Sequence, residues 1–278
     1  MMVLRKMLEV ATTPWQIATA WLCIGAIFFA MRSCEYLCTN TPEADRRTRI
    51  LRLRNIIFKK QGSTIPHSSP QLDSADIVMI IFEFQKNDKR DIQIHMFRTS
   101  DNVLNPVIAW ATTVRRVWTY PNVSEDSKVC TFQNPDGILC NIQAQHVRDW
   151  LRTIVSLIGE KTLGFTAADI GLHSLRSGGA MAMFLSKAAI IIIMRVGRWS
   201  SEAFLEYIRE QVQDFTLGIS ENMIQFESFF NMNRNPAQEL PKKSEPDKEN
   251  GPDTVQFQIE FSDLALTNNH KDSFTRLK

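Results

Sequence analysis

Residues 171–184 read GLHSLRSGGAMAMF. Two adjacent glycines, Gly178 and Gly179, interrupt a stretch of otherwise helical composition, and His173 and Arg176 stand ahead of them. If the stretch opens a helix, His173 and Arg176 lie one turn apart on a shared face. The glycines then allow a neighbouring element, or a nucleic-acid backbone, to come close. The plainer alternative is a helix start with a capping histidine and a surface arginine. What else the chain can bring to the same place decides between them.

Toward the C-terminus, residues 196–209 read VGRWSSEAFLEYIR. Ser200 or Ser201 suits an N-cap, and Glu202 suits the first turn of the helix that follows. Phe204, Ile208 and Val212 form its apolar stripe, with Tyr207 at the edge. Tyr207 is either a half-buried core residue or a side chain presented for chemistry. The chain has only 3 tyrosines, Tyr36, Tyr120 and Tyr207, so a tyrosine reaction has few candidates.

Toward the N-terminus, apolar spacing predicts a helix within residues 1–13 and a second one from Pro14 to about Leu37. Trp15 to Met31 (WQIATAWLCIGAIFFAM) is the most apolar stretch, but its length falls short of the ~20 residues of a membrane span. It is also interrupted by Gln16 and Thr19 and followed at once by Arg32 and Glu35. A buried helix, delivering Arg32 to the interior, is the expectation. Thr48–Phe58 alternates like a strand, Gln61–Ser74 reads as a loop, and Ile77–Phe84 and Ile92–Phe97 read as strands joined by the polar turn QKNDKRD, which carries Lys86. Helices are expected over 106–117, 144–158, 174–187, 188–196, 201–213 and 221–230, with 120–140 irregular. The expected fold class is α+β: mostly helices around a small antiparallel sheet from about 48 to 97, forming one catalytic domain over 1–231. Residues 232–278 read as a polar, disordered tail.

The 278 residues are 44% apolar, enough for a substantial core, and the net charge of +2 announces no nucleic-acid binder. The local distribution says more. Asp45 to Lys60 holds 7 basic residues (Arg46, Arg47, Arg49, Arg52, Arg54, Lys59 and Lys60) against 1 acid. Such a strip is the electrostatic footprint of a phosphate-binding surface, or the solvated face of a strand. The 5 cysteines show no zinc-ligand spacing and fit reduced, intracellular thiols.

As an ordered set, these segments resemble the catalytic domain of tyrosine recombinases, the integrase family. AMRSCEYL is similar to that family's first arginine box and matches Arg32 and Glu35. FEFQKNDKR is similar to its lysine hairpin and matches Lys86. HSLRSGGA matches its His-x-x-Arg pair with His173 and Arg176, and GRWSSEAFLEYIR matches its last box with Tyr207 as nucleophile. The wording of the last two boxes is nearest to integrases of Crypton and DIRS-type mobile elements. The resemblance covers about residues 1–230. It departs from the family at the His/Trp position: Gly197 is in place, Arg198 follows where histidine is usual, and either Arg198 or Trp199 fills the role. It departs again after the His-x-x-Arg helix, where SKAAIIIIM holds no chain breaker. The chain also begins too close to Arg32 for the family's N-terminal DNA clamp.

The resemblance implies DNA strand cleavage and rejoining through a 3′-phosphotyrosine, with no metal or other cofactor. The two arginines would grip non-bridging phosphate oxygens with planar, permanently charged forks. Glu35 would orient Arg32, His173 would act as base or proton relay, and Lys86 would protonate the leaving 5′ oxygen. The basic strip from Arg46 to Arg54 would hold DNA through its phosphates. The implied partners are double-stranded DNA and further copies of the chain, as a tetramer on DNA, with no membrane. The implied location is intracellular, and the nucleus in a eukaryote. The alternative function is a recombinase-derived protein that binds DNA without cutting it.

Overall fold

The computed structural model describes residues 1–85 and 90–199. Lys86, Tyr207, the expected helices at 201–213 and 221–230, and the expected boundary at 231 lie outside the described residues.

The chain is an α+β protein built on one central helix. Helix α1 spans Met2–Val10 and α2 spans Pro14–Phe28. Thr13 and Gln16 form a reciprocal cap at the start of α2: Gln16 N–H donates to Thr13 Oγ1 (3.2 Å), and Thr13 N–H donates to Gln16 Oε1 (3.0 Å). Pro14 supplies the first-turn φ and leaves no orphan donor. Leu22, Cys23, Ile24 and Ala26 are buried on every side of α2. A helix that is apolar all round belongs in a core or in a bilayer. Here α1, the helices α4 (Pro106–Trp118) and α7 (Ser174–Leu185), and a two-stranded ribbon pack against it. Among the described residues no helix is long and apolar enough to cross a membrane.

Two close approaches fix how α2 is packed. A Cβ at Gly25 would lie 2.9 Å from the Trp110 indole of α4, and one at Gly179 would lie 2.4 Å from the Ile27 carbonyl oxygen. The second obstacle is backbone and cannot rotate away. Gly179→Ala is therefore expected to destabilise the chain by about 1–3 kcal/mol through overpacking, read as a lower denaturation midpoint. Gly178→Ala, whose Cβ would meet only the Ile27 methyl at 3.8 Å, serves as the mild control.

The expected helix to Leu37 is shorter than its sequence suggests. It stops at Phe28, Ala30 takes a left-handed φ of 42°, and a separate short helix α3 covers Ser33–Tyr36. Arg32 therefore stands at the N-cap of α3, not on the long helix. Neither glycine nor proline marks this break; the contacts that hold it come from residues far along the chain, described below.

The main sheet has the order β2-β1-β3-β4, all antiparallel, with β1 Ile56–Lys60, β2 Ser63–Ile65, β3 Ile77–Phe82 and β4 Ile92–Phe97. Phe58 faces Val78 and Ile80 faces Ile94, and these four side chains are buried. The strand expected from Thr48 begins only at Ile56. Residues 51–53 run alongside residues 127–129, and Leu53–Asn55 is a 3₁₀ turn whose Asn55 Oδ1 accepts from Arg52 N–H at 2.8 Å. The expected loop at 61–74 contains β2. The expected irregular stretch at 120–140 contains β5 (Thr131–Gln133), paired with β6 (Leu139–Asn141). Strands of three residues carry too little alternation to be read from sequence.

Helix α5 covers Ala144–Ile158, as its apolar spacing predicts, and is followed by the short α6, Glu160–Leu163. Between α7 and α8 (Ile190–Gly197) the chain turns at Lys187, which adopts a left-handed φ of 61°. This is the turn that SKAAIIIIM does not announce. Ile193 alone of the four consecutive isoleucines is buried; Ile190, Ile191 and Ile192 are exposed.

Candidate active site

Glu35 is the hub around which the distant boxes meet. Its carboxylate is enclosed in the core, and each oxygen is used. Oε2 accepts from the Arg32 backbone N–H at 2.8 Å and from Arg198 Nη2 at 2.7 Å. Oε1 accepts from Arg32 Nη1 at 2.9 Å. The Arg32 side chain keeps 18% of its surface, against 1% for Glu35 and 2% for Arg198. Arg32 is thus the arginine of this group that reaches solvent.

Arg198 ends α8 in the left-handed conformation (φ 57°, ψ 42°), and Trp199 N–H then donates to Met194 O at 3.0 Å. That reversal turns the Arg198 side chain inward. Its Nη1 donates to Phe29 O (3.0 Å) and Val196 O (2.9 Å), and its guanidinium stacks over the Phe82 ring, 3.6 Å from the centroid. Burial pushes this guanidinium below its ordinary pKa, and the Glu35 charge opposes the shift. Phe82 and the Phe29 carbonyl are site residues without a signal in the sequence.

Arg176 is not a surface residue. It is 1% exposed, donates from Nη1 to Ala30 O and from Nη2 to Gly197 O (2.6 Å), and lies 4.1 Å from the centroid of the Trp199 ring. One guanidinium therefore ties the break after α2 to the end of α8. His173 occupies the N-cap position of α7 without capping it through its side chain, and it is exposed. The one-turn spacing so separates the two residues by burial: His173 toward solvent, Arg176 into the core.

Of the two residues open for the His/Trp position, Arg198 is locked to Glu35 while Trp199 is half-buried. Trp199 and Arg198 line a cavity of about 380 Å³ together with Gln85, Asp91, Gln93 and Arg195. Gln85, the residue before Lys86, is buried there with neither amide atom hydrogen-bonded. The described part of the hairpin therefore borders the same cavity as the last box.

The basic strip divides in two. Arg52 pairs with Glu43 (3.8 Å) and donates to Asp126 O (2.6 Å), while Arg54 binds Glu83 through two bonds of 2.9 and 3.0 Å and also pairs with Asp126. The Glu83 partner raises the Arg54 pKa above its usual value. Arg47 and Arg49 are exposed, Arg49 resting 4.3 Å from the Phe84 ring centroid. Arg46 is half-buried, and its Nε and Nη1 are enclosed without a hydrogen-bond partner. The acid that pairs with Arg52, Glu43, stands just ahead of the strip, whereas those of Arg54, Glu83 and Asp126, come from other segments, which a window of local sequence does not reveal.

The structure thus brings together Arg32, Glu35, Arg176, Arg198 and Trp199. It leaves His173 at the surface, and the strip at 46–54, partly neutralised, runs against α3, where Leu51 N–H donates to Glu35 O at 2.8 Å. Comparison of the chain with known protein families and with curated proteins finds no match.

Proposed function

We propose that the chain is a tyrosine recombinase of the mobile-element integrase type, which cleaves and rejoins DNA through a 3′-phosphotyrosine intermediate. The observation that carries this reading is the meeting of Arg32, Glu35, Arg176, Arg198 and Trp199 in one interlocked group, although they lie in three segments spread from position 32 to position 199. They are part of the set that the resemblance singles out; His173 is exposed, and Lys86 and Tyr207 lie outside the described residues. Transfer of a phosphodiester is dominated by positioning and charge stabilisation. Arg32, oriented by Glu35 and open to solvent, would bind the scissile phosphate. Tyr207 would attack phosphorus, with His173 taking its proton and Lys86 supplying one to the leaving 5′ oxygen. The 5′-hydroxyl of a second strand then reverses the attack, so no external energy source enters. The partners of this activity are double-stranded DNA and further copies of the chain as a tetramer. Its location is intracellular, the nucleus in a eukaryotic cell.

A second reading, a recombinase-derived protein that binds DNA without cleaving it, is favoured by the state of Arg176, whose guanidinium donates to two backbone carbonyls and has almost no solvent access. A nicked suicide duplex separates the two. The first reading expects a covalent protein–DNA band on a denaturing gel, absent in Tyr207→Phe. A mobility shift with no covalent band in the wild type establishes the second.

A further inference from the structure

Cys38 and Cys130 lie 92 positions apart in sequence, yet their sulfurs are 3.9 Å apart. Both backbones are tied to the same residue: Cys38 N–H donates to Ile142 O (3.0 Å), and Cys130 O accepts from Ile142 N–H (3.0 Å). The two thiols are not equivalent. Cys130 is fully buried and Cys38 is partly open to solvent. The Cys130 sulfur also reaches Asn141 Oδ1 at 3.7 Å.

We propose that Cys38 and Cys130 are a peroxide-responsive thiol pair, in which the accessible Cys38 sulfur takes up oxygen and the buried Cys130 sulfur displaces it to close a disulfide.

The Cys38 thiolate attacks one oxygen of a hydroperoxide, breaking the O–O bond; the sulfur becomes a sulfenic acid and the other oxygen leaves as water or an alcohol. The Cys130 thiol then attacks the sulfenic sulfur. The S–S bond forms, and the hydroxyl departs as water with the Cys130 proton. Two thiols and one peroxide give one disulfide, one alcohol or water, and one further water. The surroundings favour this division of labour. The Cys130 contact, with the cationic Lys128 and Arg46 and despite burial and the opposing Glu43, lowers the Cys38 pKa to about 7; the same contact and burial raise that of Cys130. A thiolate is the nucleophile, so reactivity at neutral pH belongs to Cys38. Closure needs the sulfurs to approach from 3.9 Å to about 2.05 Å, a small movement for side chains already in contact.

The test uses the full chain, reduced, freed of reductant and treated with hydrogen peroxide at neutral pH, followed by thiol blocking and non-reducing peptide mapping. The expected product is a linked Cys38–Cys130 peptide with Cys23, Cys34 and Cys140 still free. Cys130→Ser should instead accumulate a Cys38 sulfenic acid that dimedone traps, and Cys38→Ser should give neither product. In the untreated wild type, Cys38 should be alkylated several-fold faster than the buried Cys130. Oxidation of another cysteine first, or Cys38 driven to sulfinic acid in the wild type without the cross-link, would overturn the proposal. Because the peptide map and the alkylation race are read on the wild type, the result does not depend on either variant folding.

Discussion

Glu35→Ala lowers the unfolding free energy by about 3–5 kcal/mol, the usual cost of leaving a buried ion without its partner. The charge left behind is that of Arg198, whose side chain is 2% exposed and whose hydrogen-bond partners would then be the Phe29 and Val196 carbonyls. Arg32 would lose its cap as well, since Glu35 Oε2 accepts from the Arg32 N–H. Glu35→Gln should be milder, because an amide oxygen can still accept that bond. Combining Glu35→Gln with Arg198→Met should recover part of the loss: removing both charges avoids the uncompensated ion. Urea titrations of the three variants read this directly. A loss below about 1 kcal/mol for Glu35→Ala would mean that the carboxylate is not what holds the Arg198 turn against α3.

On the proposed strand-transfer chemistry, Arg32→Ala slows formation of the covalent protein–DNA complex by about a hundred- to a thousand-fold, the range for removing one preorganised charge-stabilising donor. Arg32→Lys should recover little of that rate. A lysine keeps the charge but lacks the planar fork that both phosphate and Glu35 would engage. Stability should fall much less than in Glu35→Ala, because Arg198 remains as the buried partner of Glu35. The readout is the initial rate of the covalent band on the suicide duplex, compared with the urea midpoint of the same variant. A rate unchanged within about threefold would remove Arg32 from the reaction and leave it as a structural cap.

These two predictions rest on parts of the site that differ in how visible they are from sequence. Arg32 with Glu35, and His173 with Arg176, stand out because each pair has helical spacing inside one short segment. The spacing says nothing about depth. Arg176 and Arg198 look like ordinary charged residues near helix ends, yet both are buried, with the backbone carbonyls of Phe29, Ala30, Val196 and Gly197 accepting their hydrogen bonds. Gln85 and Phe82 carry no mark at all; they belong to the site because the sheet carries them to it.

Where local rules were strong, the chain's own residues were enough. The Thr13–Pro14–Gln16 cap starts α2, the apolar period of 144–158 sets α5, a continuous apolar run sets β3 and alternation sets β4. Each of these is a contest between neighbours in sequence, decided by hydrogen bonds and burial within one element. The end of α2 at Phe28 and the direction of Arg198 are of another kind. The residues after Phe28 could continue the helix, and nothing nearby opposes them. The break holds because Arg176 and Arg198, almost 150 residues or more away, take the carbonyls of Ala30 and Phe29, and Glu35 receives Arg198 in return. A buried guanidinium needs several acceptors at once, and only the folded chain can gather them from segments so far apart.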